Sequence, residues 1–300
     1  MNAKLRLTAI IMLLSTLIIF AQDEEKKEKP IGWINTMVGG LNFTQSSFSN
    51  WAQGGENNWT SQLDINGAAE YNQEKYNWLN SLKVQYGVQE VEDIGSRKTV
   101  DEIRLESVGT YKVSKYVNPY AAFKAESQFS PGFDYDEEGT GLRVSKAFNP
   151  LRLTESFGVG YQPTDNFKTR VGFAFKQTLT GEDRFALIYT DSDASNGIDR
   201  TLAEYGFESI TDYQRKVLDN VLFVTKLELF STFTDIELAA GVEQPSLFEQ
   251  IDVRWDGTLS SQISKYLAVS FNAQMLYDRN VSKKRQLKQV LAAGLTYTFF

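Results

Sequence analysis

Asp191, Asp193, Ser195 and Asp199 place side-chain oxygens at alternate positions of one polar stretch, as a calcium-binding loop does. Gly197 falls one place late, and Leu202 stands where such a loop carries its bidentate glutamate. The expectation is therefore a solvated loop, with no metal and no cofactor. Other chemistry is narrowed by what the chain lacks. Its 300 residues include no His and no Cys. That removes imidazole acid–base catalysis, Ser-His-Asp triads, thiolate nucleophiles, disulfides and the commonest zinc ligand. No spacing singles out a carboxylate pair or a Ser-Lys dyad, so the chain is read as a non-enzyme without catalytic residues.

A different set of charges carries the functional reading. Asp64, Arg104, Glu106, Arg170, Lys176, Arg254 and Asp256 each lie in a stretch where polar and apolar residues alternate. Glu70, Lys83, Lys112, Glu126, Arg152, Lys226, Glu228 and Asp252 do the same. Both signs occur in similar number. In a dry core such charges cost several kcal/mol each. They therefore require a wet or cross-bridged interior, and they are the expected lumen lining.

The elements that would position them are β-strands. Leu291, Ala293, Leu295, Tyr297 and Phe299 share one strand face, and Ala292, Gly294, Thr296 and Thr298 share the other. Trp78, Leu82, Val84, Tyr86 and Val88 oppose Ser81, Lys83, Gln85 and Gln89. The same division holds around Trp59–Tyr71, Phe167–Lys176, Ile251–Ser260 and Leu267–Asp278. It recurs more weakly near 37–48, 100–114, 119–129, 151–161, 203–214 and 219–231. No helical period of useful length follows Met37. The count is twelve strands, with apolar faces outward and polar faces inward. Short links near 73–76, 115–118, 162–166, 216–218 and 264–265 alternate with longer ones near 49–57, 92–99, 130–150, 180–202, 232–248 and 278–287. Aromatic residues gather at the strand ends: Trp33, Trp51, Trp59, Tyr71, Trp78, Tyr116, Tyr161, Tyr266, Tyr277 and Tyr297. Residues 139–150 are expected to fold as a loop toward the rim or lumen. A strand at Arg143–Lys146 would break the even count.

Lys4 and Arg6 precede an apolar run from Leu7 to Phe20, which reads as a signal peptide over 1–21. Residues 22–32 read as a charged periplasmic tether, and 33–300 as the barrel. The chain carries 31 Lys+Arg against 38 Asp+Glu, so nucleic acid is excluded as a partner. The fold expected is all-β, a single antiparallel transmembrane barrel in the outer membrane. Lipid, lipopolysaccharide and other envelope proteins are its expected partners, and Lys283-Lys284-Arg285 offers one basic contact.

Several motifs sit on this frame: Gly39-Gly40-Leu41-Asn42, then Asn50-Trp51-Ala52-Gln53-Gly54-Gly55-Glu56-Asn57, Trp78-Leu79-Asn80-Ser81-Leu82, and Tyr86-Gly87. Arg97-Lys98-Thr99 with Asp101, Phe129-Ser130-Pro131-Gly132-Phe133-Asp134-Tyr135 and Gly158-Val159-Gly160-Tyr161-Gln162-Pro163 follow. Over roughly residues 33–163 this combination resembles a family of Bacteroidota outer-membrane β-barrel proteins catalogued as a domain of unknown function. The resemblance implies a barrel and an outer-membrane address, and it brings no assigned activity. Asn50, Trp51, Gly54, Gly55 and Glu56 are the candidate rim motif. Internal pairing of Arg97 or Lys98 with Asp101 is expected. The function expected is a narrow channel for small polar solutes. The alternative is a non-conducting structural or assembly subunit.

Overall fold

The computed structural model describes residues 29–47, 57–92, 94–136, 140–190, 197–233, 250–278, 280–282 and 284–299. The signal segment, most of the tether, the rim motif at 50–56, Asp191, Asp193, Ser195 and Lys283 lie outside the described residues.

Alternation becomes strand over most of the chain. The strands are β1 (Gly32–Ser46), β2 (Asn58–Asn72), β3 (Tyr76–Val91), β4 (Gly95–Tyr111), β5 (Val117–Ser127), β6 (Gly132–Tyr135) and β7 (Gly141–Ser145). They continue with β8 (Leu151–Tyr161), β9 (Phe167–Leu179), β10 (Thr201–Leu218), β11 (Val221–Thr232), β12 (Ile251–Gln262), β13 (Leu267–Tyr277) and β14 (Gln286–Thr298). One helix, α1 (Asp183–Tyr189), lies between β9 and β10. Twelve strands form a closed antiparallel barrel in which sequence neighbours pair, β5 pairs β8, and β14 closes on β1. Closure sets Leu41 opposite Leu295 and Asn42 opposite Gly294.

The barrel is inside out relative to a water-soluble core. Leu291 is 75% exposed and Phe157 63%, and Leu41, Leu105, Phe173, Leu259, Phe271 and Leu295 are exposed beside them. Inward, Glu70, Arg104, Glu106, Lys124, Arg170, Glu208 and Glu228 are buried. This distribution suits a wall that faces acyl chains, because a closed barrel leaves no strand edge to satisfy in lipid. Aromatic rings collect at both ends of the wall. At the short-turn end Trp33 lies 4.9 Å from Tyr71, centroid to centroid, and Tyr266 stacks on Tyr297. Toward the other end Phe43 stacks on Trp59, Tyr86 meets Phe129 at 5.2 Å, and Phe175 stacks on Tyr205. Phe167 and Ile251, expected on the exposed face, are instead buried. Each is the first residue of its strand, where the wall meets its connections.

Three expectations need correction. The 92–99 loop is only a three-residue turn, because β3 runs to Val91 and β4 starts at Gly95. Gly95 has φ +82°, a conformation glycine adopts without a Cβ clash, and Ile94 donates its N–H to the Val91 carbonyl. The 180–202 connection contains helix α1, too short for a periodicity to reveal. Residues 141–145 do form a strand, but it pairs only with β6, so the barrel keeps its even count. The β6–β7 hairpin belongs to the long-loop end.

Candidate functional site

Inward-facing side chains divide the lumen into two unlike halves. On the side of β4, β5 and β8–β11, long charged side chains reach one another across the barrel. Arg104 on β4 pairs with Glu228 on β11, and Lys124 on β5 donates to the same carboxylate at 2.8 Å. Lys226 on β11 donates to Glu106 on β4 at 2.8 Å, and Arg170 on β9 also holds Glu106. Ser156 on β8 donates to Glu208 on β10 at 2.9 Å. Arg254 on β12 extends the web by reaching Glu126 at 3.1 Å, Asp256 at 2.9 Å and Glu102. Lys83 on β3 then closes on Glu102 at 2.9 Å. Apart from Lys83–Glu102, on the adjacent strands β3 and β4, and Arg254–Asp256, within β12, these contacts connect strands that are not neighbours in the sheet. Each buried charge therefore keeps opposite partners within reach, the condition for tolerating its desolvation.

Backbone shape assists the closure. Gly158 and Gly172 face each other on β8 and β9. A Cβ on Gly172 would lie 2.2 Å from the Phe157 carbonyl oxygen and 2.6 Å from the Tyr120 hydroxyl. The wall approaches itself there more closely than any larger residue permits.

The other half, β12–β14 with β1–β3, is lined by short neutral groups. Asn42, Gln62, Asn66, Gln85, Thr258, Ser260, Ser270, Asn272, Gln274, Thr296 and Thr298 surround a cavity of about 530 Å³ toward the short-turn end. Their hydrogen bonds stay on their own or an adjacent strand, and the space between them is open. A second cavity of about 430 Å³ opens toward the long-loop end, beside Arg152, Lys176, Tyr189, Phe230, Asp252 and Asp278. Both cavities touch Asp256-side residues of β12 and share Gln274 and Lys288. The two spaces lie on either side of these shared residues, where Gln274 donates to Asp256 at 2.7 Å.

Two charges at that open side differ from the rest. Asp64 accepts from three amides, Gln85 at 2.6 Å, Gln62 at 2.9 Å and Asn42 at 3.2 Å, and no cation pairs with it among the described residues. Lys288 forms no ion pair or hydrogen bond among the described residues, although Glu102, Lys83, Asp64 and Asp256 lie within its electrostatic reach. Nearer the outer mouth, Lys176 is held by Asp252 at 2.6 Å, Glu204 at 3.2 Å and Asp278 at 3.6 Å.

The long-loop end carries a cap. Glu182, immediately before α1, accepts from Arg143 at 3.2 Å and from Lys146, tying the helix to the β6–β7 hairpin and its flank. The Lys146 hydrogen bond, with the Arg143 and Arg184 charges, holds the Glu182 carboxyl below the usual carboxylate range. Phe185 and Ala186 of α1 are fully buried, and Arg152 lies over the Tyr189 ring at 5.4 Å. Burial raises the Tyr189 phenol. The hairpin is itself anchored: Lys98 donates to Asp101 at 2.9 Å and to the Ser130 carbonyl at 3.0 Å. Asp101 accepts from Phe129 N–H, Ser130 N–H and the Ser130 hydroxyl. Arg97 lies over the Tyr135 ring at 4.0 Å. A Cβ on Gly132 would lie 2.4 Å from the Ser145 hydroxyl and 3.2 Å from the Lys98 ammonium, so a larger residue would displace these anchoring groups. The Arg-Lys-Thr-x-Asp element thus meets the Phe-Ser-Pro-Gly-Phe-Asp-Tyr element in space.

Of the residues singled out from sequence, Arg104, Glu106, Arg170 and Arg254 enter the bridging web, Lys176 joins the outer cluster, and Asp64 and Asp256 border the inner cavity. Asp199 accepts the Thr201 N–H at 2.9 Å; its three companions in the calcium pattern lie outside the described residues. Sequence reasoning missed Glu102, Lys124, Glu204, Glu208 and Lys288. The first four share the parity of inward neighbours and could have been found that way. Lys288 was placed at the edge of a loop, whereas β14 begins at Gln286.

Solved structures share this architecture at low identity. The NanC porin superposes at TM-score 0.41 with 10% identity, covering 87% of this chain and 98% of that one. The COG4313 outer membrane channel from Pseudomonas putida F1 gives TM-score 0.41 with 10% identity, covering 93% and 98%. The translocator domain of the autotransporter NalP from Neisseria meningitidis gives 0.38 with 9% identity, covering 98% and 96%. At these scores they add nothing that the strand order does not already establish. No curated protein matches the chain. The match that concerns sequence falls on the segment holding the anchored hairpin motifs: residues 43–133 are similar to the family described as "Protein of unknown function (DUF3078)".

Proposed function

We propose that this chain is an outer-membrane channel passing small polar solutes through the open half of its lumen. The observation that carries the reading is a cavity from each end reaching the same two residues, Gln274 and Lys288, along walls of amides, hydroxyls and charges of both signs. Short neutral side chains supply replacement hydrogen bonds without holding a solute tightly, and a narrow lining of mixed sign favours neither cations nor anions strongly. Outer-membrane lipid and lipopolysaccharide are its surroundings on this reading, and no catalytic step is assigned to it.

The experiment is conductance of the full chain in planar bilayers. A small, stable conductance is expected, and Gln274→Trp, at one of these shared residues, should lower it by at least half while the barrel still folds. A folded barrel with no conductance overturns the channel. It would favour the second reading, a non-conducting subunit of an envelope assembly, which the cross-lumen ion pairs and the cap of α1 and hairpin support.

A further inference from the structure

The inner cavity is lined by an anion, Asp64, and a cation, Lys288, that form no ion pair among the described residues; Lys265, at its short-turn mouth, lies over the Tyr266 ring. The charges of the cross-lumen web and of the Lys176 cluster each have an opposite partner within 4.0 Å, and Arg152 lies over the Tyr189 ring. Asp64 is held only by amides, which fix its carboxylate in place without neutralising it. Lys288, on the opposite side of the β1–β14 seam, has no hydrogen-bonded or ion-paired partner among the described residues. The two side chains line the same 530 Å³ cavity and interact electrostatically, yet they do not pair. Their surroundings are mostly hydroxyls and amides, with Lys83, Asp256 and Lys265 also on the lining and no aromatic ring in it.

We infer that Asp64 and Lys288 form a two-point site for a small zwitterion, an amino acid in particular, in transit through the channel. The solute ammonium replaces the missing cation at Asp64, and its carboxylate replaces the missing anion at Lys288. Gln85 and Gln62 hold Asp64 toward the cavity, and the neighbouring hydroxyls take the remaining donors. A charge-assisted contact at each end is stronger than a neutral hydrogen bond. The opposite pair disfavours a solute bearing one charge alone, since half of the site then stays unmatched. A neutral polyol gains neither contact. The inference rests on the channel reading and specifies its substrate class.

The test is solute uptake by vesicles containing the purified full chain, comparing β-alanine with glycerol, which is close to it in size, and with lactate and ethanolammonium. β-Alanine should enter several-fold faster than glycerol. Lys288→Gln should slow β-alanine and lactate at least threefold and leave glycerol within twofold, and Lys288→Arg should retain the preference. Asp64→Asn should slow β-alanine and ethanolammonium and spare glycerol. Equal entry of β-alanine and glycerol overturns the zwitterion site while leaving a channel. Uptake of no solute at all sinks the channel itself and the site with it. The wild-type ratio needs no substitution, so a variant that misfolds leaves the test standing.

Discussion

The two halves of the lumen are built from the same antiparallel wall, yet one is shut and the other open. On the β4, β5 and β8–β11 side the inward residues are Arg, Lys and Glu, long enough to meet across the barrel, and Glu106, Arg170, Glu208 and Glu228 are buried there. On the β12–β14 and β1–β3 side they are mostly Asn, Gln, Ser and Thr, whose reach ends near their own strand. Strand number does not decide patency at this size, intermediate between a filled eight-stranded barrel and an open porin. Opposite charges that attract one another across the barrel do.

The sharpest way to break that comparison is to remove a hub of the closed half. Glu228→Ala leaves Arg104 and Lys124 buried without their shared carboxylate. The expected loss is about 3–5 kcal/mol, the magnitude for deleting one partner of a buried ion pair. Ser270→Ala in the open half should stay within about 0.5 kcal/mol. Urea unfolding of the refolded barrel in vesicles reads both, and equal losses would erase the distinction.

A backbone version is smaller. Gly172→Ala pushes a methyl group against the Phe157 carbonyl and the Tyr120 hydroxyl. It should cost about 1–3 kcal/mol as overpacking. Gly40→Ala on the open side has nothing nearer than 3.8 Å and should be neutral in the same assay. A neutral Gly172→Ala would mean that the closed wall relaxes freely.

The smallest effect concerns the cap, which both halves share. A carboxyl whose folded value is lowered contributes above its ordinary titration range and loses that contribution as pH falls through the lowered value. The Glu182 contacts to Lys146 and Arg143 should therefore persist at neutral pH and weaken in acid. Hydrogen exchange at the Phe185 and Ala186 amides should rise at low pH in the wild type. In Glu182→Gln it should be raised already at neutral pH. Exchange that is independent of pH and of the substitution would remove Glu182 as the fastening.

The wall itself was legible because side-chain alternation is a local signal, and Leu291–Phe299 or Phe167–Lys176 display it within ten residues. The twelve strands and the inward charges follow from parity alone. The division of the lumen does not. Arg104 and Glu228 are 124 residues apart, and their meeting depends on strand tilt and curvature that no short window encodes. Helix α1 spans seven residues, too few for a period to declare itself. The Arg-Lys-Thr-x-Asp element could be recognised as a motif and its internal pairing expected. Its grip on Ser130 required the fold.

The cross-lumen ion pairs also constrain assembly. Glu102, Arg104 and Glu106 sit on β4, while Lys226, Glu228 and Arg254 arrive only with β11 and β12, so a partly inserted sheet carries its charges hydrated and unmatched. Sealing the cylinder and drying that flank must therefore coincide. A barrel arrested before β11 and β12 join would hold water and unmatched charge against the bilayer.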